Sequence, residues 1–262
     1  MDLDLKGRAA IVTAASRGLG KAAALALARE GANIAISSRT EQIFTVAEEI
    51  QVETGVDVVA YQTDLTAPTQ IEAMVTKAHN HFKQLDILVI NAGGPPPGGF
   101  LDFTPDDWST AINLTLMSAV RLCYAVVPFM VAQGQGSIVA TQSYSVKQPI
   151  DNLILSNSLR MAVIGLVKSL ANELGPKGIR VNSINPAWTW TERVQQLMRD
   201  RAERDGTTVD EQAGKVTEDV PLGRMGTVEE FGKTIAWLAS PAASFIHGHA
   251  MMFDGGATKA SL

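Results

Sequence analysis

Thr13-Ala-Ala-Ser-Arg-Gly-Leu-Gly20 is the stretch on which the fold turns. It joins a short β-branched run, Ala9-Ala-Ile-Val-Thr13, to an alanine-rich segment of helical pattern over 18–30. Gly18 and Gly20 let the backbone approach a pyrophosphate, and the start of the following helix offers free amide donors and a partial positive charge. Such a turn alone is weak evidence, because glycine at a strand–helix join also serves packing. Its weight comes from the rest of the chain.

Working outward, the same alternation repeats. Asn33–Ser37, Val56–Tyr61, Ile87–Ile90, Gly136–Ala140, Arg180–Ile184 and Ala250–Asp254 read as further strands. Helical patterns lie between them at about 41–54, 68–82, 105–132, 156–174, 191–203 and 227–239. Short apolar strands without in/out alternation suit a parallel sheet covered on both faces. Right-handed crossovers then give a doubly wound α/β sheet of seven parallel strands. With 262 residues and no linker or repeat, residues 1–262 are expected to form one domain. Two stretches break the rhythm: Gly93-Gly-Pro-Pro-Pro-Gly-Gly99, a stiff loop, and the charged segment 191–219, which reads as an inserted lid. Both follow strand C-termini, where open α/β sheets bind ligands.

Charge narrows the partners. The 22 basic and 27 acidic residues are interspersed and sum to −5, which argues against nucleic acid or an anionic membrane. One cysteine, Cys123, cannot form an intrachain disulfide, so a reducing cytoplasm is the expectation. Met1–Gly7 carries no signal-peptide apolar stretch, and Leu114–Ala132 is interrupted by Arg121 and Pro128. A soluble, cytoplasmic protein with a small-molecule partner is expected. No metal site is expected: His247-Gly-His249 lacks a third ligand, and His79 and His81 read as solvated on a polar helix.

The loop 13–20 resembles the Thr-Gly-x-x-x-Gly-x-Gly turn of the short-chain dehydrogenase/reductase family, with Ala14 in place of the first glycine. The resemblance runs through almost the whole chain, in Asp64-Leu65, Asn91-Ala-Gly93, Asn113, Ser143, Val163–Ala171, Gly178–Asn182, Asn185–Thr191, Pro221–Arg224 and Asp254-Gly-Gly256. It is similar to the oxoacyl-carrier-protein reductase branch and implies a single-domain Rossmann fold that binds a dinucleotide. Cofactor contacts are implied for Thr13, Ala15, Ser16, Arg17, Gly18, Leu19, Gly20, Ser38, Arg39, Asp64, Leu65, Asn91, Ala92, Gly93, Arg160, Pro186, Thr189 and Thr191. Of these, Asp64 would meet the adenine, and the loop with Pro186, Thr189 and Thr191 would receive the nicotinamide carboxamide. Family members usually pair long helices, here about 105–132 and 156–174, into dimers or tetramers.

The form of the cofactor follows from charge. A carboxylate after the second strand would select NAD(H). Ser37-Ser-Arg39 has none, and Arg17 adds a second basic group, so NADP(H) is expected.

The catalytic positions depart from the family. Aligning Val163-Ile-Gly165 puts Ser156 where the family has tyrosine and Arg160 where it has lysine. A spacing of four keeps both on one helix face. A phenol titrates near ~10, and an alkyl hydroxyl is a far weaker and shorter acid. Losing a positioned general acid costs about 10²–10⁴ in rate. The catalytic candidates are Ser143 to polarise a carbonyl, Asn113 to position a water, Arg160 to hold the ribose and Ser156 to organise a replacement for the acid. A water held by Ser143, Ser156 and Arg160 could carry the proton, Tyr144 could if the strand ends before it and does not turn it to the opposite side, or the substrate could bring its own acid. Trp188 and Trp190 either wall the substrate pocket or pack beneath the lid. The sequence leaves three activities open. An NADP(H)-dependent oxidoreductase of carbonyls or alcohols leads. A catalytically silent nucleotide-binding homologue, with Ser156 and Arg160 as ordinary helix residues, is second. A halohydrin-dehalogenase-like lyase is third, weakened by the retained Gly18, Gly20 and Asp64.

Overall fold

The computed structural model describes residues 2–260. Its centre is one parallel sheet of seven strands: β1 (Ala9–Val12), β2 (Asn33–Ser38), β3 (Val58–Gln62), β4 (Ile87–Ile90), β5 (Gly136–Thr141), β6 (Ile179–Pro186) and β7 (Ala250–Phe253). The order across the sheet is β3-β2-β1-β4-β5-β6-β7, all parallel. All seven strands fall where the sequence puts them, within about two residues at the ends.

The crossovers are α1 (Gly18–Arg29), α2 (Gln42–Thr54), α3 (Pro68–Phe82), α4 (Pro105–Ile112), α5 (Ser118–Gln133), α6 (Ile154–Leu174), α7 (Glu192–Asp205), α8 (Val209–Thr217) and α9 (Val228–Ala239). Side chains of α1, α2 and α9 form one apolar core with one sheet face, among them Leu27, Ile43 and Phe231. Those of α3, α5 and α6 cover the other face through Met74, Leu122 and Val167. Two-sided cover explains why the strands carry no polar alternation.

One expectation needs correction and one needs refinement. The helix expected over 105–132 runs through Pro105–Gln133, with a π turn at Asn113–Met117 whose i→i+5 bonding widens it for one turn. Pro128 does not interrupt α5, because the carbonyl it deprives of a donor is that of Tyr124, a solvent-exposed position. By length and composition the helices over Pro105–Gln133 and Ile154–Lys177 are apolar enough to cross a bilayer, so Arg121 and Pro128 do not make that stretch too polar. Both lie along the sheet with one side buried in it.

His81 is exposed, as the sequence suggests, and His79 is half-buried; each also has a partner. His81 Nε2 meets Asp57 Oδ2 at 2.7 Å, and His79 stacks on Phe129 with ring centroids 4.0 Å apart. His247 is held at both ring nitrogens by backbone: Val181 N donates to Nδ1, and Nε2 meets the Ala171 carbonyl at 2.7 Å.

Candidate functional site

The sheet order reverses between β1, whose next crossover leads to β2, and β4 on its other side. The crevice at such a switch point lies beyond the strand C-termini. Thr13 and Asn91 close it. Thr13 Oγ1 donates to the Asn91 carbonyl at 2.7 Å and accepts from Asn91 N at 2.9 Å, while Asn91 Nδ2 donates to the Ala14 carbonyl. Thr13 is therefore a buried brace, and Ala15 is likewise buried, its amide donating to the Ser37 carbonyl.

The glycines of the loop have separate causes. Gly18 sits at φ +56°, which glycine adopts without strain. A Cβ on Gly20 would lie 2.3 Å from the Ala14 carbonyl oxygen and 2.7 Å from Asn91 Nδ2. Ala14 has φ +49°, the left-handed region that disfavours a side chain, so an alanine in the place of the family's glycine is held there at some cost in strain. Leu19 packs against the core under α1.

A cavity of about 400 Å³ opens here. Ser16, Arg17, Ser38, Arg39, Asp64, Leu65, Asn91, Ala92 and Gly93 line it, together with Gly94, Leu114 and Arg193. Arg17 and Arg39 are exposed, and β2 ends without a carboxylate. Asp64 is the one acid lining it. Its carboxylate accepts from Thr66 N and Thr66 Oγ1, each at 2.8 Å, and its own amide donates to Gln70 Oε1. Those Thr66 bonds, with the Arg39 charge, hold its pKa below the usual range. Asp64 is thus already engaged in a local turn.

Pro186 ends β6, and Thr189 is buried in a bridge to Gly226. Thr191 caps α7 by accepting from Val194 N, and its methyl carbon lies 3.7 Å from where a Gly18 Cβ would be. The start of α7 is thereby seated on the phosphate loop. The charged segment 191–219 is two helices, α7 and α8, rather than one helix and a loop. Arg201 of α7 lies over the Trp188 ring at 5.9 Å, and Trp190 lines a separate cavity between α1 and α9. These contacts fit packing beneath the helices better than a substrate wall.

The proton-transfer positions come together on α6. Arg160 Nε donates to Ser156 Oγ at 3.0 Å, and Arg160 Nη1 donates to the Gln142 carbonyl at 3.3 Å. Ser156 is the third residue of α6, not its first. The reading of Arg160 as an exposed charge does not hold. It is largely enclosed, and burial, with the charge of Arg193 second, lowers its pKa to about 10. It remains a cation at neutral pH but is less firmly protonated than its residue type suggests.

Ser143 follows the end of β5, with Gln142 between them. Its Oγ accepts from Ser145 N at 3.2 Å and opens a tight turn, Tyr144–Val146, that packs on α6. The strand has ended before Tyr144, so strand alternation does not turn that side chain away. Tyr144 is half-buried, and burial raises its pKa. Asn113 opens the π turn, and its Oδ1 accepts from Arg121 Nη1 at 2.6 Å. The proline loop is zipped to the segment before α6: Gly98 N donates to the Asn152 carbonyl and Ile154 N to the Gly98 carbonyl. A Cβ on Gly94 would lie 3.3 Å from Arg160 Nη2.

The arrangement has counterparts among known proteins. A family model described as enoyl-(acyl carrier protein) reductase matches residues 13–258. The uncharacterized oxidoreductase YvrD of Bacillus subtilis is 33% identical over 261 residues, 98% of each chain. The chain belongs to the short-chain dehydrogenase/reductase family. The 3-oxoacyl-[acyl-carrier-protein] reductase FabG of Staphylococcus aureus, another oxidoreductase of this family, is 31% identical over 253 residues, 95% of this chain and 97% of its own. L-sorbose reductase from Gluconobacter frateurii, solved with NADPH and L-sorbose, superposes with a TM-score of 0.96 at 30% identity, covering 99% of this chain and all of its own.

Sequence reasoning missed Arg193 and the π turn. Arg193 had a possible signal, a third arginine two residues beyond Thr191, but its place depends on how α7 docks.

Proposed function

We propose that this protein is an NADP(H)-dependent oxidoreductase acting on a small carbonyl or alcohol substrate. The observation that carries it is the cavity at the sheet's switch point, where Arg17 and Arg39 stand beside a strand end without an acid. Arginine's fork suits the ribose phosphate of NADP. The free amides around Gly18–Gly20 suit the pyrophosphate, and the Cβ that Gly20 lacks would fill the close approach of the loop. The solved NADPH complex of L-sorbose reductase supports the same cofactor. Bound there, the reduced nicotinamide would supply a hydride.

The chain's own residues then divide the remaining work. Ser143 polarises the carbonyl oxygen from the end of β5. Arg160, fixed by Ser156 and Gln142, presents one of its three remaining N–H groups to the ribose and leaves the other two toward the substrate. A water held by Ser143, Ser156 and Arg160 carries the proton, and Asn113, at the start of the π turn, positions a water. The helices α7 and α8 cover the site as a lid.

The exposed Tyr124, Val131 and Met161 on α5 and α6 give this face the apolar character of a subunit contact, which supports a dimer or tetramer. Sedimentation should find the dimer or larger, and Tyr124→Glu should shift it toward monomer. The single thiol, buried at Cys123, fits a reducing, cytoplasmic setting.

Initial rates of NADPH oxidation across a panel of ketones, ketoses and oxo acids test the activity. Turnover on part of the panel is expected. Tight NADPH binding with no turnover anywhere would instead mark a silent nucleotide-binding homologue, and no nucleotide binding at all would return the lyase reading.

A further inference from the structure

We propose that Arg160 and Arg193 form a receiving site for the carboxylate of the substrate; this rests on the redox reading above. Arg160 is mostly withdrawn from solvent, and two of its five N–H groups are used, on Ser156 Oγ and the Gln142 carbonyl. No carboxylate pairs with it among the described residues. An enclosed cation without a counter-charge carries an uncompensated desolvation cost.

Arg193 makes this more acute. It lies in the first turn of α7, exposed, and makes no ion pair among the described residues. It lines the cavity together with Gly94, and Gly94 in turn stands against Arg160 Nη2. Gly94 thus joins the two, lining the cavity with Arg193 on one side and abutting Arg160 on the other, and neither arginine has an ion-pair partner among the described residues. A bound anion removes both the repulsion and the desolvation penalty, and a carboxylate fits the planar fork in a bidentate way.

The nucleotide's anions have other hosts. The ribose phosphate falls to Arg17 and Arg39, and the pyrophosphate to the loop 18–20. Arg160 lies at the reacting end, one residue from Ser143 through its bond to Gln142. A carboxylate held there places a neighbouring carbonyl beside Ser143, which points to oxo acids and hydroxy acids as the substrate class.

The test uses an unreactive pair of probes, oxamate and its neutral analogue oxamide, titrated calorimetrically into the full chain with saturating NADPH. Oxamate should bind at least about 10-fold tighter than oxamide, the effect of one charge-assisted contact. With NADPH brought to saturation for each variant, Arg193→Gln should bring that ratio within about threefold of unity, and Arg193→Lys should restore part of it. Equal binding of the two probes, or binding of neither, overturns the proposal. So does an Arg193→Gln variant that loses about tenfold in NADPH affinity while keeping its oxamate preference, because the pair then serves a nucleotide phosphate. If the wild type takes no NADPH, the redox reading falls separately, and the probe ratio without nucleotide still decides the anion site.

Discussion

Arg39→Glu should separate the two pyridine nucleotides. Arg39 lines the cavity at the end of β2 and is exposed, so its field acts largely through water. For a phosphate of charge near −2 at ~5 Å, Coulomb's law gives about 1.7 kcal/mol per unit charge at the dielectric constant of water. Reversing the charge doubles that to about 3.4 kcal/mol, and screening at ordinary salt reduces it to about 1.8–2.1 kcal/mol. NADPH affinity should then fall roughly 20–30-fold, at about 1.4 kcal/mol per factor of ten. NADH has no phosphate at that position and should change less than about threefold, so the preference between them changes by about an order of magnitude. Nicotinamide fluorescence on titration reads both constants. Arg29→Glu is the control, because Arg29 carries the same charge but pairs with Glu53 on α2. Its NADPH/NADH ratio should stay at the wild-type value. Equal losses of both nucleotides from Arg39→Glu, or the same loss from Arg29→Glu, would refute the reasoning.

Other outcomes follow from the same geometry. Gly20→Ala puts a methyl 2.3 Å from a backbone oxygen. Overpacking of about 1–3 kcal/mol should lower Tm by roughly 2–10 °C in calorimetry and weaken NADPH binding at least about tenfold. Burial pushes the Cys123 thiol up to about 12, so it should ignore a disulfide reagent at pH 8 until denaturant unfolds the chain; rapid labelling of the native protein would contradict this. The Arg224 side chain and the Thr227 cap hold the Glu230 pKa at about 2. A carboxyl depressed in the folded state adds stability above its unfolded value, and that stability is lost as pH falls toward the folded one. Glu230→Gln should therefore be less stable than wild type at pH 7, and the gap should close between about pH 4.5 and pH 2 in urea titrations.

The sheet was legible because each strand is a short, largely apolar run, β-branched in all but β7, with helical spacing around it, and burial on both faces leaves little else for such runs to do. The phosphate loop was legible because Gly18 and Gly20 serve two different steric needs. The π turn at Asn113–Met117 was not, since the residues there suit an ordinary helix and only packing against α6 distinguishes them. The second charged helix, α8, was hidden in a segment whose polarity reads equally as loop, although Thr208 and Glu211 form its capping box. The four-residue spacing of Ser156 and Arg160 showed that they share a face. It could not show whether that face was wet or enclosed, and enclosure is what favours Arg160 as a candidate site residue over a plain surface charge. Arg193 stayed invisible for the same reason, as its position depends on Thr191 abutting Gly18.

Isotope transfer tests the central claim most directly. NADPH carrying deuterium at the reactive C4 position is incubated with the wild-type protein and the panel of oxo acids, ketones and ketoses, and the products are weighed by mass spectrometry. One deuterium on the carbinol carbon of a hydroxylated product is the predicted result. Saturable binding of NADPH with the label retained on the nucleotide, whatever carbonyl is offered, would contradict it.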